Sequence, residues 1–169
     1  MLREVCCMIH PNDLQNAREN NRLEAKSAMG GLPQSIWETY SAFANAEGGI
    51  ILLGVEEHED KSLHTVNLPD PEEMIAEFLH ILHMPGKVSV NLLTEERITI
   101  EEVDGNRIII IRVPEAAAIE KPVYLDGNPL TGTYLRCGEG DYRCSAAEVE
   151  AMQQAAAVAR AQYHMQQPH

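Results

Sequence analysis

The stretch SAFANAEGGIILLGVEE, residues 41–57, decides the fold of this chain. It contains the end of an amphipathic helix, a double glycine that stops the helix, and the apolar run 50–55. Because that run has no polar alternation, we expect a strand buried on both faces, as at the centre of a sheet. Gly54 inside the run predicts close approach by another backbone or a ligand. Two acidic residues, Glu56 and Glu57, follow the strand directly.

The size and composition of the chain indicate one globular domain, which we place at residues 1–165. Its 169 residues suffice for a hydrophobic core, and a hydrophobic fraction of 44% is ordinary for a soluble protein. No apolar run approaches the ~20 residues of a transmembrane helix, and the N-terminal MLREVCCMIH lacks the pattern of a signal peptide. We therefore expect a cytoplasmic protein without membrane contact.

The charge balance restricts the modes of nucleic-acid binding. The formal net charge is −13, and the pI is about 4.9. Broad, sequence-independent wrapping of nucleic acid depends on neutralising many phosphates, so this charge argues against it. The thirteen Lys and Arg residues still suffice for one local basic groove.

Helix signals occur at three places outside the opening residues. Pro33 suits the first position of a helix whose apolar face reaches the double glycine. A second helix is predicted at 70–84, after an Asp-Pro start and before a Pro-Gly stop. The third covers about 145–163 and opens with a capping box formed by Ser145 and Glu148. Asp13 is a further candidate cap, for a short helix near the N-terminus.

Strand signals surround the central strand on both sides in the sequence. An Asp-Gly pair at 104–105 is the strongest hairpin signal in the chain. Helices and strands do not alternate in a βαβ rhythm, so we predict a single α+β domain with a mixed central sheet packed against helices. The predicted additional strands are 22–26, 87–94, 97–103, 107–113, 123–125 and 133–137.

Four segments together resemble the Schlafen AlbA-like domain, over about residues 14–150. The pattern AFAN-x-x-GG-x-x-x-x-GV is the most specific of them. The resemblance implies an α+β fold with a central sheet. It also implies a place among bacterial proteins described as transcriptional regulators or divergent ATP-binding proteins, many with a winged-helix DNA-binding region after this domain. The segments are ENNRLEAK (19–26), LPQSIWETYSAFANAEGGIILLGVEE (32–57), KPVY (121–124) and GTYLRCGEGD (132–141).

The resemblance also implies a candidate active site. Animal Schlafen proteins use this domain in an endonuclease for transfer and ribosomal RNA, with three acidic residues at the active site. The matching positions here are Glu19, Glu24 and Glu57, although the third is Asp in those nucleases. An aromatic residue common in the family is replaced by Ala25. Three converging carboxylates could bind Mg²⁺ or Mn²⁺ and act in phosphodiester cleavage.

Five basic residues are candidates for contacts with phosphates of RNA, DNA or a nucleotide. The alternative is salt bridging to the surplus of acidic side chains. The glycine-rich GEGD at 138–141 is not a P-loop, because it lacks the Gly-Lys-Ser/Thr end, and we interpret it as a tight connection. A Walker motif thus gives no support to ATP binding. The five basic residues are Arg22, Lys26, Lys121, Arg136 and Arg143.

Histidine and cysteine residues carry weaker signals for a metal site. Two histidines stand at helical spacing on the second helix, and a surface pair is the alternative to metal binding. The cysteines show no C-x-x-C spacing, which favours reduced thiols. These residues are His58, His64, His80 and His83, and Cys6, Cys7, Cys137 and Cys144.

Three functions remain open from the sequence. The first is a nucleic-acid-binding regulatory module with a local basic surface. The second is a Mg²⁺- or Mn²⁺-dependent endoribonuclease that uses the three glutamates. The third is a partner-binding or dimerisation domain, with the Ala and Met residues of the last helix as a packing or dimer contact. A homodimer is the default expectation for such a domain.

Overall fold

The computed structural model describes residues 19–166, and these form an α+β domain with a mixed sheet and four helices, as predicted. The helix predicted after Asp13 lies almost wholly outside the described residues. Short 3₁₀ turns occur at Glu95–Arg97 and Ala118–Glu120. In chain order the strands and helices are β1 (Leu23–Lys26), α1 (Ile36–Asn45), β2 (Gly49–Leu53), β3 (Val55–Glu57), β4 (Leu63–Thr65), α2 (Pro71–Leu82), β5 (Ile98–Val103), β6 (Asn106–Val113), the single-turn α3 (Pro129–Gly132), β7 (Tyr134–Cys137), β8 (Gly140–Arg143) and α4 (Ala146–Gln166).

The main sheet has the strand order β1-β2-β6-β5. β1 runs parallel to β2, whereas β2, β6 and β5 pair antiparallel, so the sheet is mixed. Ile51 lies opposite Ile111 at the centre of the β2–β6 pair. Two further hairpins, β3–β4 and β7–β8, are separate two-stranded sheets. The prediction of a central, fully buried strand is confirmed, because every residue of β2 is buried.

The apolar run of β2 is explained by two cores, one on each face of the sheet. Ile51 and Leu53 point into the core beneath the helices, where Trp37 of α1 stacks on Phe78 of α2 with ring centroids 5.0 Å apart. On the other face, β2 packs against Leu63 of the small β3–β4 hairpin. Both faces of β2 are therefore buried, so its sequence does not alternate between polar and apolar residues.

The buried amide of Asn45 attaches two later segments to the end of α1. Its Nδ2 donates to the carbonyl oxygens of Val123 (2.9 Å) and Tyr134 (3.0 Å), and its Oδ1 accepts from the Val123 amide at 2.7 Å. Ser41, one turn earlier, donates to the same Val123 carbonyl at 2.7 Å. Buried amides left without partners would cost free energy. The Asn of the AFAN motif thus has a structural role.

Both capped helices begin as predicted. Asp70 accepts a hydrogen bond from the Glu73 amide at 3.0 Å, which starts α2. Ser145 and Glu148 form the reciprocal capping box of α4, at 3.2 and 2.9 Å. The start of α1 was predicted too early. Residues 33–35 form a turn, and the helix begins at Ile36.

Two predicted strands are wrong. Residues 87–94 form only an isolated bridge, between Val88 and Leu125. The Val90 carbonyl and the Leu92 amide bond to the Tyr40 hydroxyl, so these backbone groups do not pair with another strand. Residues 123–125 likewise form single bridges, since Asn45 takes up the Val123 backbone. β4 and β8 were not predicted, because they are short and largely polar, without apolar alternation.

The remaining turn signals are confirmed. The Asp104-Gly105 turn joins β5 to β6 with positive φ at both residues. The prediction for Gly54 is wrong in its partner. Gly54 has a φ of +89°, and a Cβ there would lie 2.9 Å from the Leu68 side chain, so a side chain approaches it and not another backbone or a ligand. Within residues 19–166, no helix combines the length and the apolar character that crossing a membrane requires.

Candidate functional site

Three carboxylates converge beside the β1 edge of the main sheet, and we call them the acidic cluster: Glu19, Glu57 and Glu139. Their nearest oxygen atoms all lie within 4.8 Å of one another. Glu19 precedes β1, Glu57 ends β3, and Glu139 lies in the β7–β8 turn. Separate parts of the chain therefore build this cluster.

The Glu19 side chain lies along the free edge of β1. Its Oε1 accepts a hydrogen bond from the Ala25 amide at 2.9 Å, which the edge position of β1 leaves available. Burial, with smaller contributions from the charges of Glu24 and Glu57, raises the pKa of Glu19 to about 7, against the Ala25 hydrogen bond, which lowers it. A carboxyl group with this pKa exchanges a proton near neutral pH.

Glu57 is oriented toward the same point by the turn at Gly54, which takes the chain out of β2. Its Oε2 is buried, and within residues 19–166 no amide or basic group donates to it, while a protonated Glu19 hydrogen-bonds to the Glu57 side chain. Its Oε1 lies 3.3 Å from Lys61 Nζ. Buried carboxylate oxygens without donors are unfavourable unless a cation or a proton compensates them.

Lys61 is the nearest positive charge to the acidic cluster. Its Nζ lies 3.3 Å from Glu57 and 3.7 Å from Glu139, and its side chain is 60% exposed. The hydrogen bond to Glu57 raises the pKa of Lys61. Because this exposed side chain is long and flexible, it can leave when another cation binds.

The donor set of the acidic cluster fits a hard divalent cation. All three groups offer carboxylate oxygens, which Mg²⁺ and Mn²⁺ prefer. The buried Oε2 of Glu57 is an acceptor that such an ion would satisfy once Glu19 has lost its proton. Among residues 19–166, no other group of three or more His, Cys, Asp or Glu side chains meets the same distance test.

Glu24, the remaining acidic residue of the predicted set, lies next to the acidic cluster and faces a different partner. Its carboxylate pairs with Arg136 Nη2 at 2.8 Å and with Lys26 Nζ at 3.5 Å. The structure thus brings together two of the three predicted glutamates and adds Glu139. The sequence signal for Glu139 is its place in the GEGD turn, which connects β7 to β8 as predicted and also supplies a carboxylate to the cluster.

Arg136 is buried and bonded within the protein. Its side chain is 0% exposed, and it pairs with both Glu24 and Asp141 at 2.8 Å. It also donates to the backbone carbonyls of Asn20 and Leu23, at 2.8 and 3.1 Å from Nη2. A phosphate could reach this guanidinium only by displacing those partners. The group instead holds the β7–β8 hairpin, and with it Glu139, against β1.

The other predicted basic residues also have internal partners, except one. Arg22 donates to the Glu47 carbonyl at 3.1 Å, Lys26 to Ser35 Oγ at 3.0 Å, and Lys121 to Glu115 at 3.0 Å. Arg143 is exposed on β8. Since Arg136 is buried, Arg22, Lys26 and Arg136 do not form a continuous exposed basic strip.

Within residues 19–166, the histidines and cysteines form no site of this kind. The rings of His58 and His64 stack on each other with centroids 3.7 Å apart. His83 Nδ1 bonds to the Leu79 carbonyl oxygen at 2.7 Å. Cys137 is exposed and Cys144 is buried, both as free thiols, and the predicted thiols at positions 6 and 7 lie outside the described residues.

A comparison with protein-family models matches residues 19–145 to the family described as Schlafen, AlbA_2. Among solved structures, the chain is similar to the N-terminal domain of a Nitrosomonas europaea protein described as related to the ATP-dependent DNA helicase RecG. The two are 29% identical with a TM-score of 0.56, over 81% of this chain and 94% of that domain. A search of curated proteins found no match.

A second similar structure is a protein from Corynebacterium diphtheriae. It has a TM-score of 0.58 at 16% identity, over 91% of this chain, and therefore indicates the fold alone. This chain spans 29% of the length of that protein.

Proposed function

The chain belongs to the Schlafen AlbA_2 family, and on that premise we propose that it is a nucleic-acid-binding domain whose acidic cluster holds Mg²⁺ or Mn²⁺. The observation that carries the proposal is the convergence of Glu19, Glu57 and Glu139 within 4.8 Å. The similar domain of the RecG-related protein comes from a protein whose description names a DNA helicase. That description supports a nucleic-acid ligand for this chain.

The charge of the molecule explains why a cation belongs in the proposal. A protein of net charge −13 repels phosphate, and the buried guanidinium of Arg136 is already paired. A divalent ion in the acidic cluster would supply local positive charge for a phosphate oxygen. Lys61, whose side chain is 60% exposed beside the cluster, could contact a neighbouring phosphate.

Cleavage of RNA is the second candidate function, favoured by the convergence of Glu19 and Glu57, two of the positions that the Schlafen resemblance implies for an RNA-cleaving site. A cation held by Glu57 and Glu139 would lower the raised pKa of Glu19, whose carboxylate could then accept a proton from bound water. A bound Mg²⁺ or Mn²⁺ supplies Lewis acidity and lowers the pKa of bound water. Glu57 and Glu139 would hold the ion, and Glu24, fixed by Arg136, would keep the field around Glu19 negative.

The first experiment measures metal binding directly, by calorimetric titration of the protein with Mn²⁺ at pH 8. We expect Glu57→Gln and Glu139→Gln each to weaken binding at least about tenfold, because each removes one charged ligand. Glu102→Gln is the matched control, since this exposed glutamate on β5 lies at the opposite edge of the sheet. Equal Mn²⁺ affinity in all four proteins would overturn the metal site.

The second experiment asks what the loaded protein does to nucleic acid. End-labelled transfer RNA and duplex DNA are incubated with the protein at low salt, with Mn²⁺ or with EDTA, and ATP is added as a competitor. Retarded, uncut bands that need Mn²⁺ and Glu57 would support the binding domain. Discrete RNA products with the same requirements would select the nuclease. Unchanged mobility of both nucleic acids in Mn²⁺ would refute a nucleic-acid role.

A further inference from the structure

The turn between β3 and β4, residues 58–62, directs one basic side chain back to the acidic cluster. The His58 amide donates to the Ser62 carbonyl at 2.9 Å, and the Lys61 amide donates to the His58 carbonyl at 2.9 Å. The Asp60 carboxylate accepts from the Ser62 amide, also at 2.9 Å. These hydrogen bonds close the turn, and they fix the backbone from which the Lys61 side chain extends.

Lys61 has a backbone conformation that favours glycine. Its φ is +70°, in the left-handed region, where a side chain raises the energy of the chain. Glycine, asparagine or aspartate ordinarily takes such a position in a hairpin turn. A strained residue of this kind persists where its surroundings or its function require it. The contacts made by the lysine side chain are therefore of interest.

The Lys61 ammonium lies where a cation would compensate the acidic cluster. Its Nζ is 3.3 Å from Glu57 and 3.7 Å from Glu139, so it bridges two of the three carboxylates. Among residues 19–166, no other basic side chain forms an ion pair with either of these two glutamates. Lys61 is thus the counter-ion of Glu57 and Glu139 in the metal-free protein.

A divalent cation and the Lys61 ammonium would compete for the same two carboxylates. Both are positively charged, so they repel each other at contact distance. Lys61 can give way, because its side chain is 60% exposed and its two ion pairs are at the surface. Arg136 differs in this respect, since its 0% exposed guanidinium is held by Glu24, Asp141 and backbone carbonyls.

We propose that Lys61 is an exchangeable counter-ion, which occupies the acidic cluster in the metal-free protein, leaves when Mg²⁺ or Mn²⁺ binds, and then contacts a phosphate of the nucleic acid. This inference rests on the function proposed above. Competition by Lys61 lowers the affinity of the acidic cluster for the metal ion. Release of Lys61 couples the two binding events, because the ion frees the ammonium group that the phosphate then binds.

Calorimetric titration with Mn²⁺ at pH 8 and ~0.1 M salt tests the competition. Lys61→Met removes the charge and keeps an unbranched side chain, so we expect Mn²⁺ to bind at least about threefold more tightly. The matched control is Arg97→Met, which removes the same charge just before β5, at the opposite edge of the sheet. Three strand spacings, about 14 Å, exceed the Debye length of about 10 Å, so the control should bind like the wild type. Unchanged or weaker Mn²⁺ binding by Lys61→Met would overturn the proposal.

Thermal unfolding separates this role from a purely structural role of Lys61 in the turn. In EDTA, Lys61→Met should lower Tm, because Glu57 and Glu139 lose their counter-ion. Saturating Mn²⁺ should remove the difference from the wild type, since the ion then compensates the same carboxylates. An equal loss of Tm in EDTA and in Mn²⁺ would contradict the exchange.

Gel retardation of end-labelled transfer RNA and duplex DNA by the Mn²⁺-saturated proteins tests the contact with phosphate. For a nucleic acid that the wild type retards, Lys61→Met should bind at least about threefold more weakly. The slope of log affinity against log salt should also be shallower by about one, as for the loss of one phosphate contact. Lys61→Met thus affects Mn²⁺ and nucleic acid in opposite directions, whereas Arg97→Met should affect neither.

The outcomes distinguish the exchange from the proposed function. A wild type that takes up no Mn²⁺, or that retards no nucleic acid when loaded, would refute the proposed function itself. A wild type that binds both, with a Lys61→Met variant of equal affinity for Mn²⁺ and for nucleic acid, would refute the exchange alone. Tighter Mn²⁺ binding together with weaker nucleic-acid binding would support it.

Discussion

The guanidinium of Arg136 is the electrostatic centre of the contact between the β7–β8 hairpin and the main sheet. It is 0% exposed, it pairs with Glu24 and Asp141, and it lies over the Phe43 ring with its Cζ 4.9 Å from the centroid. A buried charge of this kind is retained only when its partners compensate the loss of hydration. Arg136 therefore positions Glu139 and Glu24 around the acidic cluster.

Replacing Arg136 should be strongly destabilising. Arg136→Met leaves the carboxylates of Glu24 and Asp141 without their buried partner, so we expect a loss of about 3–5 kcal/mol in the free energy of unfolding. Urea denaturation measures it. Arg143→Met, at an exposed position on β8, is the control and should change stability by less than about 0.5 kcal/mol. A fully stable Arg136→Met protein would contradict the role assigned to this residue.

Glu19 should make stability depend on pH in the reverse sense from a salt-bridged carboxylate. Its pKa is about 7 in the folded protein and near 4.5 in the unfolded chain, so the folded protein keeps this proton up to a higher pH. The contribution of protonated Glu19 to the free energy of unfolding is fully present below pH 4.5, and it is lost as the pH rises to about 7. Glu19→Gln should accordingly raise Tm at pH 8 relative to wild type and leave it nearly unchanged at pH 4.

The effect of Mn²⁺ on the Tm of the wild type should also depend on pH. Deprotonation of Glu19 precedes its use as a ligand, so Mn²⁺ should raise the wild-type Tm more at pH 8 than at pH 6. An identical pH profile for wild type and Glu19→Gln in EDTA would show that the carboxyl is not perturbed as described.

At the scale of elements, the junction between α1 and β2 is closely packed. Gly48 has a φ of +76°, and a Cβ there would lie 2.8 Å from the Val113 carbonyl oxygen and 2.9 Å from the Glu115 amide. Those atoms are backbone atoms at the end of β6, so they cannot move without disturbing the sheet. The double glycine thus brings the helix end directly onto the strand that pairs with β2.

Gly48→Ala should therefore lower the free energy of unfolding by more than its positive φ alone explains. The matched control is Gly105→Ala, at a φ of +78° with no atom within 4 Å of the added Cβ. We expect about 1 kcal/mol for Gly105→Ala, from the left-handed backbone, and at least about 2 kcal/mol more for Gly48→Ala, from the backbone clash. Equal losses for the two variants in urea unfolding would show that the chain relaxes freely around Gly48.

At the scale of the whole molecule, the acidic cluster draws on the β1 edge and on both small hairpins. Its three carboxylates come from positions 19, 57 and 139, so they meet only in the folded domain.

The sequence by itself determined the elements whose signals are local. The apolar run of β2, the Asp104-Gly105 turn and the caps at Asp70 and Ser145 depend on neighbouring residues, so they could be predicted and are confirmed. The conformation of the segment 87–94 could not be predicted, since its backbone bonds to the hydroxyl of Tyr40, which is distant in sequence.

Only the tertiary structure decided which side chains meet. Glu19 and Glu57 could be chosen from a resemblance, but Glu139 joins them because Arg136 docks the β7–β8 hairpin on β1. The same docking buries Arg136 and turns Glu24 toward it. Sequence patterns report periodicity and local turns, whereas the composition of a site depends on contacts between segments more than 100 residues apart, such as Arg136 and Asn20.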